Sequence, residues 1–77
     1  MSCLICAGHA ESITCPPGWE QRHCALCGSY RISQALVRSM MEQGQIFDAG
    51  RMRAWLVQRR ALVTIPGIEP HQAILMR

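Results

Sequence analysis

The chain has 77 residues, 49% of them hydrophobic, and eight basic against five acidic side chains give a formal charge of +3. Such a length makes one domain, and a core this small supplies only about 3–5 kcal/mol unaided, so an additional staple is expected. No apolar run approaches the ~18 residues of a membrane helix, and no phosphate-cradling glycine loop, paired-carboxylate arrangement or Ser/His/Asp set is present, which argues against a membrane protein and against the commoner catalytic classes.

The first motif is Cys3-Leu4-Ile5-Cys6, repeated as Cys24-Ala25-Leu26-Cys27 after seventeen intervening residues. Two residues between cysteines let a tight backbone knuckle aim both sulfurs at one ion, and zinc takes four such ligands in a tetrahedron. Gly8 and Gly28 follow the two knuckles, where positive φ is expected. The rival is a disulfide framework, for which five cysteines is an awkward number. A start at Met1 with a ligand by residue three leaves no room for a signal peptide, so a cytoplasmic location is expected, where thiols stay reduced and clustered cysteines favour metal. His9 is an alternative to Cys3 as fourth ligand, and Cys15 is expected to be a small packed residue.

Residues 10–15 suit a strand, and Pro16-Pro17-Gly18 suits a type II turn. Trp19 to His23 then returns antiparallel and delivers Cys24 beside the first knuckle. Trp19 is expected to cover the hairpin and the metal site. His23 should point away from Cys24, because neighbouring strand side chains alternate. Residues 28–32 alternate apolar with polar and add a short strand.

The run C-x2-C-x-G, a hairpin, then C-x2-C-G-x-Y-x-I-S resembles the amino-terminal zinc-ribbon module of small bacterial and phage-encoded proteins. The resemblance covers residues 3–33. It implies a zinc ribbon leading into a helix, with no catalytic residues to carry over. Ala7 departs from it by separating Cys6 from its glycine.

Ser33 is a good N-cap, and a helix over 34–43 ends at Gly44. Leu36, Val37, Met40 and Met41 share one face, with Arg38 and Glu42 spaced i,i+4 elsewhere. Asp48 caps a second helix over 49–60, with Phe47 and Met52 placed for a hydrophobic staple. Met52, Trp55 and Leu56 line one side; Arg53 and Arg60 fall opposite, and Arg59 lies near the apolar face. Residues 61–65 are extended-prone, Pro66-Gly67 breaks the chain, and Pro70 opens a short terminal helix through Met76. The fold expected is a single α+β domain over 1–77, a zinc ribbon over 1–32 followed by a helical extension of two to three short helices over 33–77.

His9-Ala10-Glu11 with Cys24 and Cys27 mimics the H-x-E and C-x2-C of zinc deaminases. That reading leaves Cys3 and Cys6 without a role, and a site closed by four cysteines has no open coordination position, so no enzyme activity is expected. Four thiolates around Zn2+ carry about −2, which lowers the net charge to about +1. The basic side chains are all arginine, and seven of the eight lie in residues 29–77. Arginine suits phosphate and carboxylate forks, although base composition of the genome produces the same bias.

Two functions fit. The first is a protein-binding adaptor or inhibitor acting on a host protein or nucleoprotein complex, by analogy an anti-defence factor of the anti-CRISPR kind, with Met52, Trp55 and Leu56 as surface anchors. The second is a DNA- or RNA-binding module in which Arg31, Arg38, Arg51, Arg53, Arg59 and Arg60 meet phosphates. Apolar surface in excess of what so short a chain hides also fits a homodimer.

Overall fold

A computed structural model describes residues 1–76. It is an α+β fold, a four-stranded sheet with two helices. Strands β1 (Ala10–Ile13), β2 (Trp19–Cys24) and β3 (Gly28–Ser33) form an antiparallel meander, and β4 (Gly67–Ile68) adds to β3 in parallel. Helices α1 (Gln34–Gln43) and α2 (Ala49–Arg60) lie between β3 and β4 in sequence.

The meander follows from its turns. Gly18 holds φ at 89° after Pro17, and its carbonyl accepts the first helical N–H, that of Gln34, at 3.0 Å. Ser33 stands at the N-cap but makes no side-chain cap bond, and the Gly18 carbonyl satisfies one of the orphan donors of the first turn. Along β3 the period of two is kept, with Tyr30 and Ile32 fully buried between half-buried Ser29, Arg31 and Ser33.

α1 ends at Gly44, whose φ of 65° suits the residue without a Cβ. Leu36 and Met40 are buried from its inner face, while Met41, expected beside them, is 78% exposed. α2 begins as expected at Asp48, whose carboxylate accepts the Arg51 N–H at 3.2 Å. Phe47 and Met52, spaced as a staple, are both buried in the core cluster with Leu56, Ile68, Tyr30 and Ile32. Each of these side chains contributes about 1.5–3 kcal/mol by leaving water.

Three expectations are corrected. Residues 61–62 form a turn after α2 instead of an extended segment, with the Leu62 and Val63 N–H groups donating to the Arg59 carbonyl, each at 2.9 Å. Gly67-Ile68 joins the sheet instead of only breaking the chain, because Ile68 has a place beside Ile32 in the core. The terminal helix shrinks to one 3-10 turn, Pro70–Gln72, since the following residues pair with the loop before α2: Asp48 donates to Ile74 and Met76 to Ile46, each at 2.8 Å. Ile74 and Leu75 still dock on the core as expected.

Trp19 lies at the Ser33 end of β2, away from the cysteines, and its ring sits over Gly67, where an added Cβ would meet it at 3.1 Å. It covers the β4 end of the sheet, not the cysteine site.

Candidate metal centre

The register of the hairpin assembles the cysteines. Pairing Ala10 with Cys24 leaves the residues before β1 alongside the β2–β3 turn, so the two C-x2-C loops meet at one end of the sheet. The first loop is closed by the Cys3 N–H donating to the Gly8 carbonyl at 2.6 Å and the Ala7 N–H to the Cys3 carbonyl at 3.0 Å. The second is the turn that ends β2 and opens β3, with Cys24 opposite Gly28.

All four sulfurs lie within 4.8 Å of one another. Cys3 and Cys27 are 3.8 Å apart and Cys6 and Cys24 3.7 Å. A tetrahedron of thiolates at about 2.3 Å from zinc has an edge of about 3.8 Å, whereas a disulfide brings its sulfurs to about 2.05 Å. The cysteines are free, and Cys3, Cys24 and Cys27 are buried while Cys6 sits at the half-buried rim. The donor set, its spacing and its burial fit a structural tetrahedral ion.

Of the two glycines expected at left-handed positions, Gly28 takes one and Gly8 does not. Ala7 takes φ of 63° and Gly28 takes 82°, each directly after the second cysteine of its pair, while Gly8 stays out of the positive region. The loops are therefore equivalent in geometry, and in the first an alanine bears the strain.

Donors from the rest of the chain reach the sulfurs. The Ile5 N–H lies 3.4 Å from Cys3 Sγ. The buried Tyr30 hydroxyl accepts the Leu4 N–H at 3.0 Å and lies 2.9 Å from the same sulfur, to which it donates when Cys3 is a thiolate. Arg53 Nε donates to Cys27 Sγ at 3.4 Å. Arg60 Nη2 donates to the carbonyls of Cys27 at 2.6 Å and Ser29 at 2.8 Å. Groups of this kind orient ligands and offset their charge.

In the bare cluster the thiols ionise unevenly. Backbone donation from Gly8, aided by Arg53, lowers Cys6 to about 6, and burial pushes Cys27 up to about 12 although Arg53 pulls the other way. Arg53 is itself raised, chiefly by its bond to Cys27, which presupposes an anionic sulfur. Burial, then the neighbouring Cys3, raises Tyr30, which keeps it a neutral donor.

The remaining expected residues fall in different places. Arg53 and Arg60, expected on the face of α2 opposite Met52 and Leu56, turn instead to the second cysteine loop. Arg31 donates to Gln21 Oε1 at 2.8 Å across the sheet. Arg59 stacks over the Trp55 ring at 5.5 Å. Arg51 lies 3.7 Å from Asp48. Arg38 is exposed, and among the described residues it has no ion-pair partner. Met52 and Leu56 are completely buried and so are not surface anchors, whereas Trp55 is half-buried. His9 is exposed and stands outside the sulfur cluster, and Cys15 bonds the Trp19 carbonyl at 3.1 Å. His23 points outward, with Nδ1 2.8 Å from Ser29 Oγ.

Sequence reasoning missed Tyr30 as a partner of Cys3 and the inward turn of Arg53 and Arg60. The signals were present: Tyr30 sits on the buried phase of β3 with its polar end unaccounted for, and Arg53 follows directly on buried Met52. No helix is long and apolar enough to cross a membrane among the described residues. No family model, curated protein or solved structure matches the chain.

Proposed function

We propose that the chain is a zinc-ribbon binding module, in which Cys3, Cys6, Cys24 and Cys27 hold a structural Zn2+ and the domain acts without catalysis as a protein-binding adaptor or inhibitor. The observation that carries the metal reading is the four-sulfur cluster with edges of 3.7 and 3.8 Å. All four positions of a tetrahedron are filled by protein, which leaves none for a substrate or an activated water.

The disposition of the arginines favours protein over nucleic acid. Arg31 and Arg53 each commit their Nε, and Arg60 its Nη2, to partners inside the domain, which draws these three side chains away from a common row for phosphates. Trp55 with Arg59 stacked on it, followed by exposed Leu62 and Val63, instead makes an aromatic and arginine anchor of the sort that concentrates binding energy at protein interfaces. An anti-defence role of the anti-CRISPR kind is the narrower form of this reading and rests on the resemblance of residues 3–33.

A pull-down from bacterial lysate with and without nuclease separates the classes. A defined protein retained after nuclease, and lost on Trp55→Ala with the zinc content and circular dichroism unchanged, is the expected result. Recovery that disappears with nuclease and falls steeply with salt would move the assignment to DNA or RNA.

A further inference from the structure

α1 presents two different edges to solvent. One carries Val37 and the 78% exposed Met41, and beyond it a groove of about 340 Å3 continues over Leu4 and Phe47 to Ile46, itself 65% exposed. The other carries Arg38 and Glu42, and both edges border one shallow pocket that Gln34 and Glu20 of β2 also line. Arg38 and Glu42 are spaced for an i,i+4 pair, yet neither has an ion-pair partner among the described residues. Their order, cation before anion, is the weaker one within a helix.

We propose that this face is completed by a second copy of the chain, with α1 packed antiparallel on α1 across a two-fold axis. A two-fold perpendicular to two antiparallel helices keeps like edges together, so one copy's apolar edge meets the same edge of the other. Val37 then packs on Met41 of the other copy, and the reverse. On the opposite edge Arg38 of each copy faces Glu42 of the other, which gives both charges the partner they lack within one chain. The surface is thus complementary to itself in charge, and the two apolar edges cover one another. The Trp55 and Arg59 surface of α2 takes no part, so this interface is separate from the binding surface proposed above.

The test is the mass of the zinc-loaded chain by light scattering and sedimentation between about 1 and 500 μM, the range over which a modest dimer titrates. The expected result is a concentration-dependent shift from one copy to two. Met41→Glu and Val37→Glu should each hold the chain at one copy. Arg38→Glu places like charges opposite one another twice and should raise the dissociation constant by roughly 100-fold. The double swap Arg38→Glu with Glu42→Arg should restore it to within about tenfold of the original, which a merely structural role for either residue would not do. Metal-to-chain ratio and circular dichroism, measured on every sample, separate loss of the fold from loss of the interface. A single-copy mass at every concentration, a dimer indifferent to Met41→Glu, or a double swap that fails to restore assembly would each overturn the proposal.

Discussion

Ala7 and Gly28 occupy the same place in the two cysteine loops, but only one of them is suited to it. A left-handed alanine costs about 1–2 kcal/mol, so Ala7→Gly should stabilise the domain by roughly 1 kcal/mol and raise the melting temperature by about 4–8 °C in calorimetry. Gly28→Ala should do the reverse, and by more. Besides the positive φ, its Cβ would come within 2.5 Å of Arg60 Nη2 and 2.8 Å of Cζ. The guanidinium is flexible enough to move, but doing so gives up both carbonyls it holds. A melting temperature that falls on Ala7→Gly would contradict the strain assigned to that loop. The sequence disclosed the ligands at this scale because cysteine spacing is local. It hid which residue bears the left-handed turn, since the first loop offers an alanine and a glycine in succession and only the Cys3 to Gly8 hydrogen bond decides between them.

Among the elements, α2 is the one whose role was least legible. Its boundaries were readable, with Asp48 as cap and a staple from Phe47 to Met52, because those signals lie within a few residues of each other. Its orientation was not. Arg53 and Arg60 flank the buried stripe of Met52 and Leu56, and whether such residues face solvent or a neighbour depends on what lies beside the helix. Here the neighbour is a cluster of sulfurs and carbonyls that attracts cations, so both arginines turn inward. The same reason conceals β4: two residues carry no periodicity, and their pairing is fixed by Ile32 across the sheet. We expect Arg53→Met to keep the helix and much of its packing while removing the donor to Cys27. Loss of such a second contact typically costs 10–100-fold in metal affinity. Competition with a chromogenic chelator should show this as tighter binding by the original chain, and equal affinity for the two would mean that the 3.4 Å contact does not act on the metal.

For the molecule as a whole, the core is thin and the metal site joins its parts. The cysteine loops, β3 through Tyr30 and α2 through Arg53 and Arg60 all converge on it. Binding at a structural zinc site contributes on the order of 10 kcal/mol to folding, against the few that so small a core provides. Chelation should therefore abolish the cooperative melt, and unchanged melting with chelator present would refute a structural metal. The pH dependence has a definite sign. Thiols that hold a metal do so as thiolates, so binding lowers their folded pKa below the ordinary thiol value of about 8.5. Their stabilisation is therefore present in full above that value and declines as pH falls, as acid competes for the sulfurs. At fixed free zinc the melting temperature should rise with pH through the neutral range and level off near 9.

The order of the sulfurs and their supporting donors along the chain also sets an order in time. During synthesis both cysteine loops are complete once residue 27 has left the ribosome, and an ion can be captured by the hairpin alone. Tyr30 follows within three residues, but Arg53 and Arg60 emerge only after α1 has been made. On the zinc reading proposed above, capture and retention are separate events: the hairpin alone is expected to exchange its ion faster than the full chain, in which α2 brings Arg53 to Cys27.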